Sequence, residues 1–276
     1  MNEIFRIPVP RLIMPETVMY GYPTGLMHCF KPQIKQIYLP PLEWSEKVVE
    51  VRVKTGNTGP RRNGSRKWKA YRSVKHALGG YKTLDYSGKF VFDARDETDK
   101  NPAHIIENTL TSALLIKETL EDFLGKRIEL HIVLREKASE LVRESCELLN
   151  LPMITTDGDV KGEIAVVSDH VLSSLIPRLF NLDFRDSDEM SVDKIFISRR
   201  SSRSLINEDE VCNFLEDRGF QALYFEDFSV SQKWSLARNA KFIVAINGAA
   251  GANIVFNRMG LEPGVPKSSG GACHPF

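Results

Sequence analysis

From residue 90 onward, short apolar runs alternate with stretches in which apolar residues recur every third or fourth position. The runs predict buried strands and the periodic stretches predict amphipathic helices. "KFVFDA" predicts a strand, and "NPAHIIENTLTSALLIKETLEDFLG" (101–125) predicts one long helix. Asn101 suits its N-cap, Pro102 its first helical position and Gly125 its stop. Ile106, Leu110, Ala113 and Leu114 mark the face it turns to a core. A strand "IELHIVL", a helix "EKASELVRESCELLN" and two strands, "LPMITTD" and "GEIAVVSD", follow. Such alternation predicts an α/β layer built on a mainly parallel sheet.

A polar stretch, "NLDFRDSDEMSVD" (181–193), interrupts the rhythm and is the best linker candidate. Beyond it the alternation restarts as strand "KIFISRR", helix "NEDEVCNFLEDRG", strand "FQALYFED", helix "VSQKWSLARNA" and strand "FIVAI". This βαβαβ order is half of a doubly wound fold, whose ligand crevice lies at the carboxyl ends of the strands. The first ninety residues read as irregular, with many prolines and short apolar runs such as "VVEVRV". The chain is therefore expected to divide into an N-terminal α/β domain over 1–185, including the irregular 1–90 segment, and a Rossmann-like domain over 186–276.

Composition narrows the class. The 276 residues are 42% hydrophobic and 26% charged, as in an ordinary soluble globular protein. Thirty-seven basic against thirty-six acidic residues leave a net charge of +1, so no global field favours nucleic acid or a membrane surface. Residues 54–75 hold eight basic residues and no acid, with Trp68 and Tyr71 interleaved. A phosphate- or nucleic-acid-binding patch is conceivable there, but Gly, Asn and Ser punctuate the run and a solvated loop is the simpler reading. Cys29, Cys146, Cys212 and Cys273 are scattered without metal-ligand spacing, which suits unpaired thiols in a reducing compartment. No apolar run approaches the roughly 18 residues of a membrane span, and no secretory leader is evident. A cytoplasmic protein is expected, with peripheral membrane contact left open.

Several residues could carry chemistry. "SRRSSRS" leaves a strand end with Arg199, Arg200 and Arg203, whose guanidinium forks suit a diphosphate. The bland alternative pairs them with Glu208, Asp209 and Glu210. Asn207 with Glu210, and Ser229 with Gln232, both have the spacing of capping boxes. Either way, two helix N-termini face the crevice side, where anions bind. His104 and Asn108 lie four apart on one helix face. His104 falls in the first turn, where the helix dipole favours the neutral form of a general base. A histidine hydrogen-bonded at a domain boundary is the alternative. Asp93, Asp96, Glu97 and Asp99 form a loose acidic cluster that matches no metal loop and reads as solvated. "FIVAINGAAGANIVF" (242–256) carries only Gly248 and Gly251, so it is neither a dinucleotide fingerprint nor a P-loop. It reads as a small-residue turn flanked by Asn247 and Asn253, where backbone N–H groups approach a phosphate or sugar.

Taken together, "NPAHIIENTL", "IFISRRSSRSLINEDEV", "GFQALYFEDFSVSQ" and "VAINGAAGANIVF" resemble glycosyltransferase family 61 in order and spacing. That family includes bacterial capsular-polysaccharide-type proteins and eukaryotic xylosyl- and N-acetylglucosaminyltransferases. The resemblance implies two facing Rossmann-like domains (the GT-B arrangement), a nucleotide-sugar donor, a glycan or other hydroxyl acceptor, and inverting transfer without an essential metal or other cofactor. Carried over by position, Arg199, Arg200, Arg203, Asn207 and Glu208 line the donor side. Glu226 and Gln232 fall where the family has a Glu-(Leu/Phe)-Ser…Gln pattern. The family's last motif usually reads His-Gly-Ala-(Gly/Ala), whereas Asn247 stands here, and Asn cannot act as a base. After Phe256 the family continues with further strand and helix. The Gly-, Pro- and Ser-rich "NRMGLEPGVPKSSGGACHPF" reads instead as a truncated or frame-shifted end, leaving the second domain incomplete. The expected activity is polysaccharide-type sugar transfer; the alternative is a non-catalytic relative that binds a glycan or partner.

Overall fold

The computed structural model of the chain describes residues 2–9, 12–14, 17–21, 35–39, 42–44, 47–59, 74, 79, 82–97, 99–168, 184, 190–200, 205–246 and 248–257. Most of the basic stretch 54–75, Arg203, Asn247 and the tail after Asn257 lie outside these residues.

The N-terminal segment is not irregular. Strands β1 (Asn2–Val9), β2 (Leu12–Met14) and β3 (Thr17–Gly21) return as β4 (Lys35–Leu39), β5 (Leu42–Trp44) and β6 (Lys47–Thr58). One antiparallel register runs through all six, from Asn2 opposite Lys54, through Leu12 opposite Trp44, to Gly21 opposite Lys35. Hydrophobic periodicity in three-residue pieces is too short to show it.

The base of the ribbon joins the central sheet. β7 (Leu84–Asp93), β8 (Leu130–Leu134), β9 (Met153–Thr155) and β10 (Val160–Val167) complete a six-stranded sheet of order β1-β6-β10-β7-β8-β9. β10, β7, β8 and β9 run parallel, while β6 pairs antiparallel with both β1 and β10. The sheet is thus mixed, and its antiparallel part comes from the segment read as irregular. Val49, Val51 and Val53 alternate inward on β6 and are buried, the period of two that a half-buried strand requires.

The predicted long helix forms in three pieces: α1 (Pro102–His104), a π-helical turn (Ile105–Leu110) and α2 (Thr111–Leu124). The Asn101 side chain accepts from the Ala103 N–H at 3.0 Å, Pro102 sits at the start, and Gly125 ends the helix in the left-handed region at φ 63°. Those caps follow the local sequence. The π turn does not, because widening to i→i+5 bonds depends on packing around it. The Thr111 N–H and hydroxyl both reach the Ile106 carbonyl there, the hydroxyl at 2.7 Å. α3 (Glu140–Leu148) follows, capped by Ser139.

The second sheet is a three-stranded parallel one, β11 (Lys194–Ser198), β12 (Gln221–Tyr224) and β13 (Phe242–Ala245), in the order β12-β11-β13. α4 (Glu208–Glu216) and α5 (Val230–Asn239) connect them. α5 begins with a complete capping box between Ser229 and Gln232. A 3₁₀ turn (Ala249–Phe256) ends the described chain.

The largest apolar cluster spans both sheets' helices. It joins Ile106, Leu110 and Val142 to Val230, Trp234 and Phe256. Trp234 stacks on Phe256 at 4.2 Å, and Phe184, inside the stretch read as a linker, packs edge-on against both rings. Each such fully buried side chain contributes roughly 1.5–3 kcal/mol, so the seam between the two layers is a stable part of the fold.

Candidate functional site

In the order β12-β11-β13 the first strand of the unit lies in the middle. The chain moves to one side for its second strand and crosses back for its third. Such a reversal opens a crevice at the carboxyl ends of the central and third strands, where α/β sheets place their ligands. Arg199 follows β11 and Gly248 follows β13, so the two flank this switch point. They touch: a Cβ at position 248 would overlap the Arg199 guanidinium. Glycine is what allows that guanidinium to lie against the turn's backbone.

One strand over, the carboxyl ends of β11 and β12 share a second group of side chains. Glu208, the first residue of α4, accepts hydrogen bonds from the buried Ser198 hydroxyl and, at 2.9 Å, from the Tyr224 hydroxyl. That bond, with some burial, pushes the Tyr224 phenol above its usual range. The Arg200 guanidinium lies over the Tyr224 ring at 4.3 Å and pairs with Asp227. Asn207 occupies the N-cap position but makes no side-chain cap; it donates instead to the Glu210 carboxylate at 3.2 Å. The expected capping box is therefore absent at α4, since Asn207 sits outside the extended backbone that presents a capping oxygen. At α5 the box forms, so Gln232 spends its side-chain oxygen on the Ser229 N–H at 3.0 Å. Glu226 is exposed beside it.

The remaining predicted residues meet at the seam between the layers. The 3₁₀ turn packs against α1 and α5. A narrow crevice there is lined by Pro102, Ile105, Ser145, Lys233, Trp234 and Asn253, among others. Asn253 is buried and donates to the Ala250 carbonyl at 2.8 Å, which holds the turn closed. His104 is exposed on α1, between two residues that line the crevice. Asn108 turns to Glu97, donating at 3.0 Å.

Two features escaped sequence reasoning. Lys233 lies half-buried in the first turn of α5; burial lowers its pKa, while Glu144 and Glu226 pull it back up. Its place just inside the capping box was the available signal. The acidic run 93–99 is the second, and it is not a solvated loop. Asp93 pairs with the fully buried Arg95, Glu97 accepts from Asn108, and Asp99 accepts from the Ser139 N–H at 2.8 Å. Only Asp96 among the four carboxylates is exposed. Among the described residues no three His, Cys, Asp or Glu side chains converge as a metal site, and no helix is long and apolar enough to cross a membrane.

The described parts of the four segments singled out in the sequence thus lie along one seam and one sheet edge. A family model described as Glycosyltransferase 61 matches residues 98–265, more than half of the chain and all of this arrangement, which makes the protein a glycosyltransferase. The chain belongs to glycosyltransferase family 61, whose members act on a sugar donor and an acceptor. No curated protein matches it.

Proposed function

We propose that the chain is an inverting glycosyltransferase that moves a sugar from a nucleoside diphosphate to a hydroxyl acceptor on a glycan, in cytoplasmic polysaccharide biosynthesis. The observation that carries this reading is the contact between Arg199 and Gly248 at the switch point. A guanidinium there meets a diphosphate with paired, charge-assisted hydrogen bonds. Residues 186–276 form the donor side and residues 1–185 the acceptor side, in the manner of a GT-B enzyme. Arg199, Arg200 and Arg203 balance the charge that builds on the departing diphosphate, a role that needs no divalent cation in this reading. Asn247 and Asn253 are donor-binding residues in this reading.

His104 takes the acceptor's proton as the hydroxyl attacks the anomeric carbon from the face opposite the leaving group. Its exposure beside the crevice leaves room for an acceptor to approach. Turnover of UDP- and GDP-sugars by purified protein, followed by NMR of the anomeric proton, tests the reading. An inverted product formed in EDTA is expected. His104→Ala is expected to lower turnover by about 10²–10⁴-fold while donor binding persists. A retained anomer, or His104→Ala at wild-type rate, contradicts it.

A further inference from the structure

A cleft of about 320 Å³ opens at the amino ends of β8 and β9, at the end of the first sheet away from His104. That volume falls in the range of small-molecule sites. β8 is five residues long, so the cleft stands about 16 Å from the carboxyl ends of the same strands. Its floor is apolar, with Leu130 and Leu151 buried. Three segments bring polar side chains to it: Lys117 from α2, Arg127 from the α2–β8 loop and Asn150 from the α3–β9 loop. None of these three side chains makes a hydrogen bond or ion pair with a described residue. The backbone beneath two of them is nonetheless fixed. The Ile128 N–H donates to the Glu121 carboxylate at 3.1 Å, which ties down the loop carrying Arg127. Asn150 closes α3 in the left-handed region at φ 51°, with its N–H on the Glu147 carbonyl at 3.0 Å. That cap uses only the Asn150 backbone and leaves the side-chain amide for a ligand.

We propose that this cleft is a second ligand site, apart from the transfer chemistry, and that it takes a soluble phosphomonoester of the size of a sugar phosphate. The proposal does not depend on the nucleotide-sugar reading above. Lysine and arginine only donate hydrogen bonds, and the asparagine amide adds two donors, so the three together call for an anion. Two cations match a phosphomonoester, which carries roughly −1.5 to −2 charges at neutral pH on three acceptor oxygens. A carboxylate brings one charge and two oxygens. The acidic member of the lining, Glu129, is drawn to Lys89 at 3.4 Å, which offsets its charge. Leu130 and Leu151 offer the carbon skeleton an apolar surface. α2 also carries Glu118, Glu121 and Asp122 near Lys117, so the surroundings are not the continuous basic face that recruits an anionic membrane.

The test is calorimetric titration of the full chain, at constant ionic strength, with glucose 6-phosphate, glucose 1-phosphate, inorganic phosphate, glucuronate and glucose. Wild type is expected to bind at least one sugar phosphate saturably, about tenfold or more tighter than glucuronate, and not to bind glucose. Replacing Lys117→Gln and Arg127→Gln together is expected to weaken that affinity at least about tenfold, as the loss of charged hydrogen bonds does. Arg127→Gln alone, at an exposed position, is expected to lose part of it, and unchanged melting temperatures show that the variants are folded. Arg199→Ala is expected to keep it. Absence of sugar phosphate binding by wild type, or affinity that survives the double substitution, overturns the proposal. Glucuronate bound as tightly as the sugar phosphate overturns the phosphomonoester assignment. Affinity lost in Arg199→Ala but kept in the double variant assigns the ligand to the edge of the three-stranded sheet and overturns it too. Wild type that binds phosphatidic acid vesicles through Lys117 and Arg127, but no free sugar phosphate, assigns the cleft to a lipid headgroup and overturns the soluble ligand.

Discussion

At the carboxyl end of β7, Arg95 is fully buried. Its guanidinium meets both oxygens of Asp93 at 2.8 and 2.7 Å and the carbonyls of Thr156 and Gly158. At the carboxyl ends of β11 and β12, Arg199 is half-buried against Gly248, and Arg200 is exposed beside Tyr224 and Asp227. Both sheet edges thus join arginine to aspartate at the place where α/β proteins bind ligands. They differ in how deeply the arginine is buried. Around Arg95 the surrounding loops close over the pair, and Thr58 adds a hydrogen bond to Asp93 at 2.6 Å. Around Arg199 and Arg200 the strand order reverses. An arginine at a strand end is thus fully buried in one case and half-buried or exposed in the other, and residue type alone does not tell them apart.

The largest expected effect breaks the buried member of the comparison. Arg95→Ala leaves Asp93 without its partner in a buried site, and such losses cost about 3–5 kcal/mol. Urea denaturation measures this, and a loss below about 1 kcal/mol contradicts the structural role. Arg199→Ala is expected to act on binding instead, weakening affinity for a nucleoside diphosphate by about 10–100-fold.

The Arg95–Asp93 pair also sets a pH dependence. Burial opposes ionisation of Asp93, but hydrogen bonds and charge from Arg95, with help from Thr58, outweigh it and hold the carboxyl below its usual range. A depressed carboxyl stabilises the fold above its unfolded value and loses that contribution as pH falls through the folded one. The stability gap between wild type and Asp93→Asn is therefore expected to be widest near neutrality and to narrow below about pH 4. A gap that stays constant from pH 7 to pH 3 in urea titrations contradicts the pairing.

The smallest effect concerns Gly248. Adding a methyl in Gly248→Ala meets the flexible end of Arg199 rather than backbone, on a backbone at φ 159° that side-chain-bearing residues rarely adopt. Diphosphate affinity is expected to fall several-fold, less than on removing the guanidinium itself, because the displaced arginine keeps part of its attraction. Equal affinity in Gly248→Ala and wild type removes Gly248 from the account.

Sequence legibility followed the range of the interactions. The Asn101–Pro102 start, the Gly125 stop and the Ser229–Gln232 box were legible because each is made within a few residues. The βαβαβ order of the second sheet was legible from periodicity, and with it the crevice side for Arg199, Arg200 and Glu208. The N-terminal ribbon was not, because its pairs join residues up to 52 positions apart, as Asn2 and Lys54 are. Neither was the π turn, nor the closure around Arg95, which draws on Thr58, Thr156 and Gly158 from distant segments. The place of Glu208 at the start of α4 was legible from the strand and helix order, but not its clasp by Ser198 and Tyr224. That clasp exists only once two strands and a helix are assembled.

The central claim is that the carboxyl edge of the three-stranded sheet binds the diphosphate of the donor. Calorimetric titration of wild type and Arg199→Ala with UDP and GDP tests it most directly. The account predicts saturable binding of at least one nucleotide by wild type and a dissociation constant at least about tenfold higher in the variant. Equal binding by both proteins, or no binding by wild type, contradicts it.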